Sequence, residues 1–209
     1  MKAVIFDLDG VICFTDRYHY KAWKEIADEI RVPFDEATNN RMRGVSRMAS
    51  LEILLEGADR SFSTTEKEAL AERKNGIYVA LLDEMSPSDL SEEVRDTLRE
   101  LRKRGLLLAI GSSSRNTKKI LGKLGLSDFF DAVSDGTNIT RSKPDPEVFL
   151  KAAEMLRISP KEALVVEDAA AGIEAANAGG FASAGLGEAA AQPLVTHPLA
   201  HFSDLLQLV

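Results

Sequence analysis

The sequence contains one cysteine, Cys13, among 209 residues. That excludes an intrachain disulfide and suits a reducing compartment. No window approaches 18 uninterrupted apolar residues, and no basic segment leads into a long apolar one at the start. Neither a membrane span nor a secretory leader is therefore expected, and the chain reads as cytoplasmic. Positive charge is scarce, with 26 Lys and Arg against 33 Asp and Glu and a formal net charge of −7. This balance argues against a general nucleic-acid or membrane-surface binder. It leaves room for a small anionic ligand wherever positive groups gather locally. Internal repeats are absent, and only 179–191 has a biased, Ala/Gly-rich composition. What remains is 44% hydrophobic and 28% charged. Such a chain can bury a core as one large domain or as a domain carrying an insertion.

Apolar, β-branched runs recur at 2–6, 106–110, 131–134, 163–166 and, more weakly, 181–186. Helical patterns separate the later ones. Residues 91–104 open on Ser91 as an N-cap and stop at Gly105, and 116–124 stop at Gly125. Asp145 reads as an N-cap with Pro146 as the first helical residue, and Ser159 with Glu162 forms a capping box. Alternating strand and helix implies a parallel sheet with helices on both faces. The stretch from Thr15 to Asp83 breaks this rhythm. It has helical patterns at 18–30, 39–55 in two pieces and 65–83, the last with a capping box of Thr65 and Glu68, and no strand. Helices inserted after a first strand read as a cap, the alternative being one continuous helical layer. The expected division is an α/β core of 1–14 and 84–209 with a helical cap of 15–83.

Chemistry-bearing residues cluster where the strands end, which is where open parallel sheets bind ligands. Asp7 and Asp9 close the first run in "FDLDG". As alternate strand residues they point the same way, roughly 6–7 Å apart at ~3.3 Å per residue, and Gly10 then allows a sharp turn. Residues 111–116 bring small hydroxyls to a helix start that favours an anion. Lys143 supplies a mobile point charge, and "VVED" ends in Glu167 and Asp168. Taken singly these features are commonly a cap, a turn and a solvated acidic edge. Together they make an anionic pocket of four carboxylates beside hydroxyls and a lysine. All-oxygen donors with that much negative charge suit one Mg²⁺ per chain.

Asp7–Gly10, the Ser112 turn, Lys143 and Glu167-Asp168 resemble, in order and spacing, the four motifs of the haloacid dehalogenase (HAD) superfamily of phosphotransferases, over essentially the whole chain. The resemblance implies a Rossmann-like parallel-sheet core with an inserted all-helical cap. It implies that Asp7 is the nucleophile and Asp9 the general acid/base. Ser112 and Lys143 would hold the transferring phosphoryl group. Asp7, Glu167, Asp168 and the backbone carbonyl of Asp9 would hold Mg²⁺.

The cap segments "TDRYHYKAW", "RGVSRMAS" and "ERKNGIYV" are similar to those of the β-phosphoglucomutases. Those enzymes interconvert β-glucose 1-phosphate and glucose 6-phosphate through an aspartyl phosphate and glucose 1,6-bisphosphate, which is both intermediate and activator. On that resemblance Thr15 and His19, four apart on one helix face, tune the hinge and Asp9. Arg47, within the loop of Gly44, Val45 and Ser46, grips the remote phosphate together with Ser114, Arg115 and Asn116. Ser50, Lys74, Ser113 and Leu8 complete the candidate substrate contacts. Trp23 and Met42 read mainly as cap packing, with Trp23 retained among those contacts.

A bisphosphate needs two anion sites, and the guanidinium of Arg47 suits the second. Arg41, Arg43 and Arg47 concentrate positive charge, unless acidic partners make them an ordinary solvated face. Several positions depart from the pattern. Arg43 stands where lysine is usual, Cys13-Phe14 replaces a polar pair that usually contains Asp, and Gly111 replaces an alanine with little expected effect. The alternatives are a sugar-phosphate or phosphoglycolate phosphatase, a dehalogenase, and a non-enzymatic phosphosugar-binding protein. A small phosphorylated sugar is the expected partner, without nucleic acid or membrane, and the chain is expected to be a monomer. His197 and His201 are assigned no role.

Overall fold

The computed structural model describes residues 1–209. Six parallel strands form one sheet in the order β3-β2-β1-β4-β5-β6. They are β1 (Ala3–Phe6), β2 (Leu107–Gly111), β3 (Ala132–Ser134), β4 (Ala163–Glu167), β5 (Ala182–Gly185) and β6 (His197–Pro198). Every side chain of β1 and β4 is buried, as expected for central strands covered on both faces. The short β6 follows Pro-Leu-Val-Thr with no apolar run of its own, so the five-strand reading of the sequence missed it. Its pairing rests on two residues of β5.

The order reverses at β1, which pairs with β2 on one side and β4 on the other. The carboxyl end of β1 is therefore the topological switch point where such sheets open a crevice. Helices α5 (Glu92–Lys103), α6 (Thr117–Lys123), α7 (Glu147–Leu156) and α8 (Ala170–Ala178) connect the later strands. The two faces of the sheet carry separate apolar clusters. The larger packs Val4, Phe6 and Leu164 with Leu98 and Leu101 of α5, and the smaller packs Ile5 and Val165 with Val148 and Phe149 of α7.

Between β1 and β2 lie α1 (Asp16–Ile30), α2 (Glu36–Arg41), α3 (Arg47–Leu55) and α4 (Thr64–Leu81). They bury a third cluster of their own, centred on Trp23, Ile26, Leu51, Leu54 and Leu70. Several boundaries differ from the sequence reading. The capping box on α4 is Ser63 with Glu66: Ser63 N donates to Glu66 Oε2 at 2.8 Å and Glu66 N to Ser63 Oγ at 3.3 Å. The S/T-x-x-E spacing occurs twice here. The earlier copy prevails, lengthening the helix, while Arg60 holds Glu66 at 2.8 Å. α7 begins at Glu147, one residue later than expected, while Asp145 still caps its start by accepting from Glu147 N at 3.0 Å. The 39–55 pattern falls in two pieces as expected, but Asp35 caps the first so that it starts at Glu36; Ser46 caps the second, beyond the loop that carries Gly44.

Candidate active site

β1 ends at Phe6, so Asp7 and Asp9 lie on the turn beyond it and not within the strand. Asp7 N still donates to Val166 O at 2.9 Å, extending the ladder by one bond. Gly10 makes the turn at φ +89°, where a Cβ would stand 2.0 Å from Asp168 Oδ2. Glycine is thus required twice there, for the conformation and for the space.

Asp7, Glu167 and Asp168 offer one carboxylate oxygen each within 4.8 Å of one another. Lys143 is buried beneath them and donates to Asp7 Oδ1 and Glu167 Oε1, both at 2.5 Å. Its pKa is pushed up despite burial, because two carboxylates face it. Burial and mutual repulsion hold the carboxyls of Glu167 and Asp168 well above the usual carboxylate range. One lysine does not neutralise three acids, and the donors are all hard oxygens. The residues present therefore fit a divalent cation of the Mg²⁺ kind. Glu167 is further fixed by Asp168 N and Ala169 N, at 3.0 and 3.1 Å.

Asp9 sits beside this cluster. Burial beneath the helices and the charge of Asp7 push its carboxyl up to about 7. The Thr15 hydroxyl donates to Asp9 Oδ1, and Tyr78 Oη donates in turn to Thr15 Oγ1 at 3.1 Å. His19 Nε2 stands 4.0 Å from Asp9 Oδ2. His19 Nδ1 lies 2.9 Å from Lys74 Nζ; while Lys74 carries its charge it can only donate, which places the imidazole proton on Nε2. Desolvation, Lys74 and Arg47 hold the His19 pKa well below its ordinary value, so the ring faces Asp9 neutral. Lys74 is itself buried, 4.9 Å from the centre of the Trp23 ring and 4.5 Å from that of Tyr78. Desolvation, then Arg47, brings its pKa down to about 7.

A cavity of about 990 Å³ joins these groups to a second cationic region. Asp7, Asp9, His19, Trp23, Gly44, Val45, Ser46, Arg47, Ser50, Lys74, Asp168 and all of Ser112 to Asn116 line it. Lys143, Glu167 and Thr15 lie just beneath its wall. Leu8 does not reach it, because its side chain is buried in the large core cluster.

The three cap arginines all have acidic partners, but only two face the cavity. Arg41 pairs with Glu56 at 2.8 Å on the outer surface. Arg43 pairs with Asp16 at 3.3 Å, and its buried Nε has no partner. Arg47 pairs with Glu72 at 3.2 Å. On the core side, Ser114 N donates to Ser112 Oγ and Asn116 N to Ser114 Oγ, both at 3.2 Å, so two amides of this turn are already engaged. Ser113 Oγ donates to Gly44 O and Asn116 Nδ2 to Asn75 Oδ1, each at 3.0 Å, tying the turn to the inserted helices.

Sequence reasoning passed over Asp16, Glu72, Asn75 and Tyr78, all cavity-lining, and Gly172, whose missing Cβ leaves room for the Glu167 carboxyl. The expectation for Gly111 is corrected. A Cβ there would meet the Phe149 ring at 2.6 Å, so this glycine is required by its neighbour. Phe14 lines the cavity with 70% of its surface exposed.

A switch-point Asp pair, a buried lysine and a carboxylate cluster suited to a divalent cation, roofed by helices, suit the chemistry of phosphoryl transfer. Residues 1–180 match the family model for haloacid dehalogenase-like hydrolases, and the chain belongs to that family. It is 44% identical over 197 residues to the β-phosphoglucomutase of Bacillus subtilis, covering 93% of this chain and 86% of the relative. It is 32% identical over 184 residues to a phosphorylated carbohydrates phosphatase of Thermotoga maritima, covering 87% and 82%. The crystal structure of the β-phosphoglucomutase of Clostridium difficile superposes with a TM-score of 0.90 at 35% identity, over 98% of this chain and 93% of that one. No helix is long and apolar enough to cross a membrane.

Proposed function

We propose that this chain is a β-phosphoglucomutase, interconverting β-glucose 1-phosphate and glucose 6-phosphate through glucose 1,6-bisphosphate. Asp7 attacks the phosphorus of a bound phosphate. The bond from phosphorus to the sugar oxygen breaks as the Asp7–phosphorus bond forms, and Asp9 delivers its proton to the departing oxygen. In the return transfer Asp9 takes the proton of the accepting sugar hydroxyl as that oxygen bonds phosphorus and the aspartyl bond breaks. An Asp9 pKa near 7 suits both directions at neutral pH. Lys143 and Ser112 hold the transferring phosphoryl group. Asp7, Glu167, Asp168 and the Asp9 carbonyl would hold Mg²⁺, whose charge would offset the repulsion between the nucleophile and the phosphate oxygens. The helices of 15–83 act as a cap that excludes water while the intermediate reorients.

The observation that carries the mutase reading is the second cationic region of Arg47 and Arg115 in the same cavity as Asp7. A monophosphate hydrolase has no use for it, whereas a bisphosphate must anchor one phosphate while the other reacts. The test is ³¹P NMR of the protein with Mg²⁺, β-glucose 1-phosphate and a trace of glucose 1,6-bisphosphate. A growing glucose 6-phosphate signal is expected. Inorganic phosphate appearing alone would establish a phosphatase instead. In that assay Arg47→Ala should lose mutase turnover far more than hydrolysis of a small phosphoester.

A further inference from the structure

Glu68, Glu72 and Asn75 line the cavity from one side of α4. Of the two acids, Glu72 reaches the cationic region, placing Oε2 3.2 Å from Arg47 Nη1. Arg47 is mostly shielded, with 22% of its side chain exposed, while Glu72 is 77% exposed. Burial and the positive charge of Arg115 both work against the Arg47 cation, and Glu72 works for it. Arg47 belongs to the inserted helices and Arg115 to the core, so Glu72 is the anion that lets two like charges face each other across the cavity. A phosphate arriving at Arg47 meets a carboxylate already there. The exposed Glu72 side chain can swing into solvent at little steric cost, leaving its donor free.

We propose that Glu72 is an affinity- and specificity-determining residue of the remote anion subsite: it occupies Arg47 in the free protein and is exchanged for the second phosphate of the ligand. This rests on the mutase reading for the identity of the ligand. Exchange sets a threshold. A dianion with three oxygens can engage Arg47 and reach Arg115 as well, whereas a group with a single charge gains little over the carboxylate it displaces. The same exchange draws the core arginine and the cap arginine onto one phosphate.

The alternative role for Glu72, orienting Arg47 for the ligand, predicts the opposite change on its removal. The experiment is calorimetric titration of glucose 1,6-bisphosphate, with Mg²⁺ present, into Asp7→Asn protein, which cannot turn the ligand over, and into Asp7→Asn/Glu72→Gln protein. Loss of the competing charge should tighten binding about threefold, the size expected when a largely exposed ion pair no longer has to be broken. Glu72→Ala should tighten it similarly. Unchanged or weaker bisphosphate binding in the Glu72 variants, or no binding to any of the proteins, overturns the proposal. Failure of the mutase reading is seen separately, as inorganic phosphate alone in the ³¹P experiment, and leaves the comparison of affinities intact.

Discussion

Gly172 has no side chain, yet the acidic cluster depends on that absence. A Cβ at this position would lie 1.9 Å from Glu167 Cδ and 2.0 Å from Oε1. Glu167 is fully buried and held by Lys143 and two backbone amides, so it cannot yield without breaking those bonds. Gly172→Ala is expected to lower Mg²⁺ affinity by about 10–100-fold, the usual cost of disturbing a ligand's support. Titration of activity against Mg²⁺ checks it, and recovery at high Mg²⁺ separates it from misfolding. His19 makes a second residue-scale case. Because Lys74 donates to Nδ1 and burial opposes the cation, the ring should stay neutral with its proton on Nε2. ¹⁵N NMR should show that tautomer at pH 6, where Lys74 is charged, and no imidazolium between pH 8 and pH 6. A ring that titrates near its ordinary value would place the cation beside Asp9 instead.

At the scale of elements, α4 shows how function sets against stability. Lys74 is buried on this helix with its pKa brought down to about 7, against 10.5 for the free side chain. The unfolded chain therefore binds a proton between those values that the native state does not, and stability rises with pH across that window. Lys74→Met keeps the packing against Trp23 and Tyr78 and removes the penalty. The variant should be more stable than the parent near pH 7, and its advantage should shrink towards pH 10 in paired thermal melts, while its turnover falls. The same helix shows what a sequence does and does not disclose about elements. Its apolar pattern was legible, but two overlapping S/T-x-x-E spacings left the start ambiguous, and the pairing of Arg60 with Glu66 supports the earlier one. Ser63→Ala should accordingly cost about 1 kcal/mol of stability, and Thr65→Ala much less, by urea melts. Strand β6 was not legible because two residues pairing with β5 need no apolar run.

For the molecule as a whole, the carboxyl ends of β1, β2 and β4 meet because a parallel sheet lines them up, so Asp7, Ser112, Glu167 and Asp168 could be placed together from order alone. The register of the inserted helices against the core has no such rule. Glu72 on Arg47, Asn75 on Asn116 and Tyr78 on Thr15 therefore emerge only from the folded arrangement. The whole molecule also bears the electrostatic cost of its site. Glu167 and Asp168 have carboxyls held above their ordinary range by burial and repulsion. Below the ordinary carboxylate range both states are protonated. As pH rises towards neutrality the unfolded chain has released protons that the native state still holds, so stability falls. A bound Mg²⁺ reverses this, since it favours the ionised carboxylates that the metal-free fold resists. Mg²⁺ at one fixed concentration, a hundred times its Kd at pH 8, adds about 2.7 kcal/mol to stability there, a rise of about 5–10 °C in Tm for a chain of this size. That rise should be small at pH 5 and largest near pH 8, and chelation should abolish it together with phosphoryl transfer. A Tm increment independent of pH would mean that the cation binds away from this carboxylate cluster.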